Sequence, residues 1–561
     1  MLNKSKRIYS YHLITLVGFS LLCSCNVTKL LQDNETILKQ NKIIVQSDDD
    51  AVNKWFIKDE LKTIPQQKAN KRTLFIFPFK LWLYAASANK RENKFRWWMK
   101  NKVGEAPVIF DSTLVYPSKL LLENYYQNKG YFFTEVNTSI KTKRRRTTVT
   151  YNIKPNKAFK FRTVIFPYNT EVEQIAHDKM GGTLLKRGTN YDIATIKNER
   201  QRIADNVNDA GYYHFTKDYV FFEIDTFHNT HDVDVRVKLA TYYDSVEFKK
   251  YTIDNITIVQ DYNPDQNALM QSKKDTMQLG DYTFLYQKYK FRSQALLNYI
   301  YFHKDSLYSK HDYLATIQKL SELGEFRFIN VSFQDKYLTD SVYKLNCQIT
   351  LSPYKKQFNS INLEAYNNFE GLFGSGITVA YNNRNLTKNA DKLSISVTVG
   401  TEFNFSKKAS NSNNNRTDFI ISTEYYINKF LLPFRIKQLS HTTSARSKIY
   451  ASYNYENRIG FYKLHNTTFS FGYEWNKNQS IRHSYLPFTV SIIYLPDSSL
   501  SSGFKARLDS NSLLKNSFGE TFIMGSQYNF YYNFISKNKY HLFNYRLFLE
   551  TAGNILELGS A

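Results

Sequence analysis

The sequence predicts an α+β chain in which β-α-α-β-β repeats are followed by an antiparallel transmembrane β-barrel. Three observations lead to this prediction. Late in the chain apolar and polar residues alternate in long segments, before them one helix-to-strand junction recurs, and the N-terminus reads as an export signal. After that signal no run of about eighteen apolar residues occurs, so any further membrane crossing is expected to be made by strands.

The clearest alternation lies at 393–405, LSISVTVGTEFNF, and 467–476 repeats it with four aromatic side chains on one side. Side chains alternate between the two faces of a strand, so such a segment has one apolar and one polar face. About ten alternating residues between polar loops are typical of a membrane-spanning barrel strand. An ordinary half-solvated sheet has the same period and is the alternative. The predicted strands are 358–366, 376–383, 392–405, 417–427, 447–457, 464–476, 485–495, 520–533 and 542–554.

The polar faces of these strands carry charges that lipid would not tolerate, so they are expected to face the barrel interior. The residues concerned are Glu364, Glu402, Glu424, Glu456, Glu474, Glu550 and Arg546.

The N-terminus is expected to deliver the chain to a membrane. Basic residues precede an apolar stretch at 8–22, which is too short to be a comfortable membrane span. Leu22, Cys23 and Ser24 then precede Cys25 in the manner of a bacterial lipobox, which makes Cys25 the expected lipidation residue. A plain secretory signal or a buried apolar strand is the alternative.

A helix that ends at a glycine followed by an aromatic residue occurs three times before the predicted barrel. The glycine supplies the left-handed conformation that closes a helix, and the aromatic side chain enters the core. We interpret the three junctions as diverged copies of one unit, because three in the same β-α-α-β-β context are not easily accidental. The junctions carry Gly130 and Tyr131, Gly211 and Tyr212, and Gly324 and Phe326.

An insert at 68–102 in the first copy interleaves basic and aromatic residues. This pattern suits a lipid headgroup interface, where rings sit at the boundary and cations meet phosphates. Packing of these rings in the hydrophobic core of an enlarged domain is an equal alternative. The interface candidates are Phe75, Phe77, Phe79, Trp82, Trp97 and Trp98, with Arg144, Arg145 and Arg146 in a later turn.

Composition narrows the function classes. The net charge of +25 suits an anionic phospholipid surface or acidic partners, and the export signal argues against nucleic acid. With Cys23 removed and Cys25 acylated, Cys347 alone remains, so we expect neither a disulfide scaffold nor a zinc site. No phosphate-binding glycine loop or nucleophile elbow occurs. We therefore expect no cofactor, no metal and no enzyme activity.

Taken together, the lipobox, the three units and the amphipathic strands resemble the TamA-like lipoproteins (TamL) of the BamA/TamA outer-membrane assembly superfamily. The repeated units resemble POTRA domains, and the likeness is greatest at 25–29, 97–111 and 320–331. The resemblance implies a barrel of sixteen strands, of which about nine are present, so the chain is expected to stop within the barrel. A genuine short barrel, or a product that pairs with another chain, is the alternative. The expected parts are a signal peptide at 1–24, a lipidated tether at 25–35, POTRA-like domains at 36–157, 158–245 and 246–356, and the first part of the barrel at 357–561.

The resemblance implies assembly or insertion of outer-membrane proteins, with periplasmic N-terminal domains and a lipid anchor in the outer membrane. Unfolded clients, outer-membrane lipid and a periplasm-spanning partner that resembles TamB are the expected partners. Strand 358–366 would form one side of the seam where a client strand pairs. A two-partner-secretion exporter or pore, and a lipid-anchored binding protein without insertase activity, are the alternatives.

Overall fold

The computed structural model of the chain describes residues 27–47, 60–71, 78–88, 93–240, 248–263, 274–339, 342–367, 372–404, 415–432, 444–478, 480–518, 520–535 and 542–552. Two compact units are present, one made of Met1–Val207 with Phe215–Glu247 and one made of Asn208–His214 with Phe248–Ala561. In the described part of the chain, no helix combines the length and the apolar character needed to cross a membrane.

The first unit begins with a repeat built on a small mixed sheet. Its elements are β1 (Ile37–Val45), α1 (Phe79–Ala88), α2 (Lys94–Trp98), α3 (Val115–Gln127), β2 (Glu135–Lys143) and β3 (Arg146–Lys154). The sheet order is β1-β3-β2, with β1 parallel and β2 antiparallel to β3. Val149, Tyr151 and Ile153 on one face of β3 are buried together with Leu122 and Tyr126 of α3. The helix thus covers the apolar face of the sheet.

The second repeat has the same plan. Its elements are β4 (Lys160–Ile165), α4 (Glu171–Asp178), α5 (Ile193–Asp209), β5 (Val220–Phe227) and β6 (Asp232–Leu239). The sheet order is β4-β6-β5. Phe161, Val233 and Val235 are almost fully buried and share one cluster with Tyr191 and Ile196.

The third repeat opens the second unit and departs from this plan. Its elements are β7 (Tyr251–Val259), β8 (Asp275–Leu279), β9 (Tyr282–Tyr286), α6 (Ser293–Leu297), α7 (Lys310–Glu322), β10 (Phe326–Thr339) and β11 (Val342–Pro353). The sheet order is β10-β11-β7-β9-β8. A β8–β9 hairpin therefore widens the sheet beyond β7, and the sequence did not predict it.

A nine-stranded antiparallel sheet comes next, in which every strand pairs with its neighbours in sequence. Its strands are β12 (Gln357–Asn367), β13 (Leu372–Asn383), β14 (Lys392–Asn404), β15 (Arg416–Ile427), β16 (Ser444–Arg458), β17 (Tyr462–Asn476), β18 (Ile481–Tyr494), β19 (Thr521–Ile535) and β20 (Leu542–Ala552). Two short helices, α8 (Ser502–Ser510) and α9 (Ser512–Ser517), lie between β18 and β19.

The predicted fold class is confirmed. POTRA-like α+β structure precedes a large antiparallel sheet, and each of the nine predicted segments falls on one of its nine strands. The α8–α9 pair was not predicted. It closes the end of the sheet where β16 turns into β17, because Phe504 and Leu508 pack there against Tyr462 and Leu495.

Candidate functional site

The strand register of the nine-stranded sheet places its predicted interior charges on one face. Paired residues of adjacent antiparallel strands project to the same side. Ser394 pairs with both Asn382 and Glu424, Glu402 with Arg416, and Glu474 with Arg446. When the pairing is followed across all nine strands, the predicted interior residues lie on one face of the sheet. They are Glu364, Glu402, Glu424, Glu456, Glu474, Arg546 and Glu550.

Most of these glutamates bond to neighbours on the same face. Glu474 accepts hydrogen bonds from both Arg446 and Arg482, and the Arg482 Nη2 to Glu474 Oε2 distance is 2.9 Å. Lys448 Nζ lies 2.9 Å from Glu424, and Arg416 Nη2 lies 3.0 Å from Glu456. Further hydrogen bonds on this face join Tyr366 to Glu402, Gln527 to Glu550 and Arg546 to Asn529. A connected polar surface of this kind is suited to a wetted interior.

The opposite face is apolar and uncovered. Leu363 on β12 is 75% exposed and Ile377 on β13 is 51% exposed, while Val399 and Phe419 on the next two strands are 45% and 37% exposed. In water such a continuous apolar surface is a liability, whereas lipid would solvate it.

The turn between β13 and β14 joins this sheet to the third repeat through one backbone–backbone hydrogen bond and two hydrogen bonds from side chains. The backbone N–H of Arg292 donates to the Lys388 carbonyl over 2.8 Å. The Asn385 side-chain amide donates to the Lys290 carbonyl over 2.9 Å, and Arg384 Nη1 donates to the Gly324 carbonyl over 3.1 Å. Two elements that are distant in sequence are thus fixed to each other.

The same turn is tied to the next turn at that end of the sheet. The buried Asp391 carboxylate accepts from the backbone N–H of Asn428 and from the Tyr425 hydroxyl, each over 3.3 Å. The Asn428 side-chain amide donates to the Ala390 carbonyl over 2.5 Å, and the Tyr299 hydroxyl donates to the Asn428 carbonyl over 3.2 Å. Burial raises the pKa of Tyr299 to about 12, so its hydroxyl stays protonated and able to donate.

A cavity of about 480 Å³ lies in this junction. Its lining includes Tyr299 and Glu325 of the third repeat and Lys392, Arg446 and Glu474 of the sheet. Glu325 is 4% exposed, and its burial raises the pKa of the carboxyl to about 8 although Arg384 and Lys392 act in the opposite direction.

The three predicted helix-end glycines all adopt the left-handed conformation, with φ of 89° at Gly130, 101° at Gly211 and 69° at Gly324. The aromatic residues that follow them, Tyr131, Tyr212 and Phe326, are buried. At Gly130 a Cβ would meet the Tyr191 carbonyl oxygen at 2.8 Å, whereas at Gly324 it would meet nothing within 4 Å.

The predicted interface residues fall into different environments. Phe79, Trp97 and Trp98 are exposed and Trp82 is half-buried. Arg145 donates to the Gln32 and Glu35 carbonyls of its own unit, while Arg144 and Arg146 beside it are exposed. Cys25, the lipobox residues Leu22, Cys23 and Ser24, and Phe75 and Phe77 lie outside the described residues.

The junction residues Tyr299, Glu325, Asn385, Asp391 and Asn428 were not predicted. The polar turn at 382–391, NNRNLTKNAD, was visible in the sequence, but nothing in it indicated which element it would contact. Among the described residues, no group of three or more His, Cys, Asp or Glu side chains could hold a metal ion.

A family model matches part of this chain. Residues 88–156, the later part of the first repeat, match the POTRA family, described as a surface antigen variable number repeat. No curated protein matches the chain significantly.

Several solved structures match this chain at low identity. BamA from Haemophilus ducreyi lacking POTRA domains 1–3 is 10% identical, with 70% of each chain covered and a TM-score of 0.32. The POTRA3–5 region of Haemophilus influenzae BamA is 9% identical over 58% of this chain and 99% of its own, with a TM-score of 0.28. CdiB from Acinetobacter baumannii is 8% identical over 98% of this chain and 77% of its own, with a TM-score of 0.25. At these scores the likeness assigns no function.

Proposed function

We propose that this chain is an outer-membrane assembly or translocation factor that pairs client strands with its own sheet edges. The observation that carries the proposal is the nine-stranded sheet with one charged, hydrogen-bonded face and one uncovered apolar face. Such a sheet is stable where lipid covers the apolar side and water wets the other. The sheet is therefore the membrane-embedded part of the protein.

The edge strand β12 is the proposed pairing site within the membrane. It bonds to β13 on one side, and no strand of the described residues bonds to its other side. Unpaired backbone groups are costly in hydrocarbon, so an incoming strand that satisfies them gains free energy without requiring a particular sequence. This gives β12 the capacity to accept many different clients.

The repeats offer further edges on the water side. In the first repeat β2 is an edge strand, and all but one of its residues are exposed. An extended segment that adds to such an edge gains backbone hydrogen bonds, which supports a role in capturing unfolded clients or a TamB-like partner. The hydrogen bonds around Asp391 and Asn428 hold the third repeat beside the charged face of the sheet.

Lipidation of Cys25 belongs to the same proposal and rests on the sequence pattern Leu22, Cys23, Ser24 before it. An acylated N-terminus would tether the repeats to the outer membrane on the periplasmic side. The alternative of a lipid-anchored soluble binding protein is disfavoured by the uncovered apolar face, which water would not stabilise.

Disulfide capture tests the pairing proposal. In the full chain in bilayers, Ser360→Cys places a thiol on the edge strand β12, and an unfolded outer-membrane protein carries one cysteine in its last strand. Ser396→Cys is the matched control, since Ser396 is a half-buried serine of the same face on β14, which has strands on both sides. Native Cys347 can remain, because its burial raises the thiol pKa to about 12 and makes it unreactive.

We expect the S360C variant to form a client disulfide and to insert the client into the bilayer, and the S396C variant to insert the client without forming the disulfide. Equal capture by both variants, or insertion without any capture at β12, would contradict pairing at this edge.

A further inference from the structure

The insert of the first repeat divides into a packed part and an exposed part. Leu81 and Leu83 of α1 are buried, and Leu81 shares a cluster with Leu31 and Ile37. The helix α2 and the π-turn Met99–Val103 that continues it carry no buried residue. Apolar packing therefore accounts for these leucines of α1, while the exposed rings of α2 need another explanation.

Large aromatic rings cover the exposed part. Phe95 is 65% exposed, Trp98 50% and Trp97 47%. The Phe95 and Trp98 rings stack with their centroids 6.1 Å apart, one helical turn from each other. Three large rings exposed within four consecutive residues form a local apolar surface that the described residues of this unit do not cover.

The α2 segment is positioned by its own hydrogen bonds. Asn93 caps its start by accepting from the backbone N–H of Arg96 over 2.8 Å. Its end is fixed where Gly104 donates to the Met99 carbonyl over 2.7 Å, and the next residue, Glu105, donates to the Lys80 carbonyl of α1 over 3.1 Å. A Cβ at Gly104 would lie 3.1 Å from the Tyr84 Cα, so the two helical segments cross there. The rings are thus held outward on a built element.

The charge of the insert indicates what covers the rings. Within 68–102 the sequence contains ten Lys and Arg residues and one acidic residue, Glu92. Lys94, Lys100 and Lys102 flank the exposed rings, and within the described part of the chain no ion pair involves them. Two tryptophans with an indole N–H and one phenylalanine, flanked by these lysines, match the boundary of an anionic bilayer, where aromatic side chains sit at headgroup depth and lysines meet phosphates.

We infer that the segment 94–103 of the first repeat is a peripheral membrane-binding element that inserts Phe95, Trp97 and Trp98 into the headgroup region of an anionic phospholipid bilayer. This contact is separate from the membrane-embedded sheet and from strand pairing with clients.

Tryptophan quenching in the full chain tests the inference. The chain has five tryptophans, and replacement of Trp55, Trp82 and Trp475 by Phe leaves Trp97 and Trp98 as reporters. The protein is reconstituted into bilayer discs of phosphatidylethanolamine and phosphatidylglycerol with brominated acyl chains. In a second arm, the discs carry ordinary lipid and brominated vesicles of the same composition are added. We expect bromine quenching and loss of acrylamide access in at least one arm.

A matched probe controls for simple proximity. In a chain without native tryptophans, Tyr168→Trp places one reporter in the second repeat at a position that is 66% exposed, close to the acidic Glu171 and Glu173. We expect acrylamide to quench this reporter and bromine to leave it unaffected. For every variant, electrophoretic migration is compared before and after heating. A shift on heating shows that the sheet was folded.

Removal of the lysine charges distinguishes recognition of anionic lipid from nonspecific hydrophobic adsorption. In the reporter chain, Lys94→Gln with Lys100→Gln and Lys102→Gln should lower bromine quenching severalfold in bilayers that contain phosphatidylglycerol. Absence of quenching in both arms would overturn the inference, as would quenching that is equal in pure phosphatidylcholine and unaffected by the lysine substitutions. Rings that stay open to acrylamide with lipid, but are protected by an acidic periplasmic protein, would assign the surface to a protein instead.

Discussion

Strands β6 and β14 have the same alternation of apolar and polar residues, but their apolar faces meet different environments. In β6, Val233, Val235 and Val237 are at most 1% exposed. In β14, Ile395 and Val397 are 38% and 37% exposed. The period therefore predicts a strand in both places, while the covering of the apolar face depends on the rest of the chain.

The difference comes from the elements that neighbour each strand in the chain. The repeat places α4 and α5 before β5 and β6, and α5 supplies apolar residues such as Ile196 to the cluster that contains Val233 and Val235. The late strands follow one another in sequence, and α8 and α9, the two α-helices described between them, pack at one end of the sheet. Because no helix of the described part of the chain covers the apolar side of this sheet, that side needs another solvent, and lipid is that solvent in our proposal.

A lysine placed on the apolar face of each strand, β6 and β14, is expected to give the largest effects and tests whether the two faces differ in environment. Val235→Lys buries an unpaired ammonium group, and we expect a loss of more than about 4 kcal/mol and unfolding of the second repeat. Val397→Lys should lower the stability of the sheet in a bilayer by about 2–4 kcal/mol. Urea unfolding of the full chain in bilayers measures the sheet, and hydrogen exchange of β6 amides measures the repeat.

Ser394→Lys is the control on β14, because Ser394 lies on the charged face and pairs with Glu424. We expect this variant to retain wild-type stability. If Val397→Lys stays within about 0.5 kcal/mol of wild type in bilayers, the apolar face is not in contact with lipid.

The charged face can be tested with two of its own glutamates. Glu474 is 7% exposed and holds Arg446 and Arg482, so Glu474→Ala leaves two guanidinium groups without their carboxylate. We expect a loss of about 2 kcal/mol in sheet stability, measured by urea unfolding in bilayers. Glu364→Ala on the same face should change stability by less than about 0.5 kcal/mol, because Glu364 is exposed and no hydrogen bond to it occurs within the described residues.

A second substitution separates the loss of the ion pairs from the cost of leaving guanidinium groups unpaired. Arg446→Met in the Glu474→Ala background removes one unpaired charge, so part of the lost stability should return. Equal effects of Glu474→Ala and Glu364→Ala would show that the ion pairs contribute nothing to the sheet.

How much of this fold the sequence predicts depends on whether a feature is set by neighbouring residues or by residues far apart in the chain. Strand β14 and the glycines Gly130, Gly211 and Gly324 could be predicted, because period and helix closure are local properties. The β8–β9 hairpin was not predicted, although the dipeptide Gly280-Asp281 is a local turn signal. In the structure Gly280 adopts the positive φ of 59° that such a turn requires.

The junction could not be predicted for a different reason. Asp391 and Asn428 are 37 residues apart, and their contact depends on the pairing of β14 with β15. Glu325 comes directly after a helix-closing glycine and reads as a solvated residue in the sequence. Its burial arises only when the third repeat packs beside the turns of the sheet, which no local pattern encodes.

The pH dependence of stability tests the junction through Glu325. Its pKa rises from 4.5 to about 8 on folding because the carboxyl is buried, so the folded state binds the proton more tightly. The stability due to the protonated carboxyl is complete below pH 4.5 and is lost as pH rises through about 8. Glu325→Gln does not titrate, so we expect it to exceed wild type in junction stability by at least about 1 kcal/mol near pH 9 and to differ less near pH 6. Hydrogen exchange of the Tyr354 N–H, which donates to the Glu325 carbonyl over 2.9 Å, measures the junction after correction for intrinsic exchange.

Glu322→Gln is the control in the same cavity, since Glu322 is paired with Lys319 at 3.0 Å and should not reproduce this pH dependence. Parallel pH profiles for wild type and Glu325→Gln would mean that the carboxyl is hydrated in the folded protein and that the cavity is open to water.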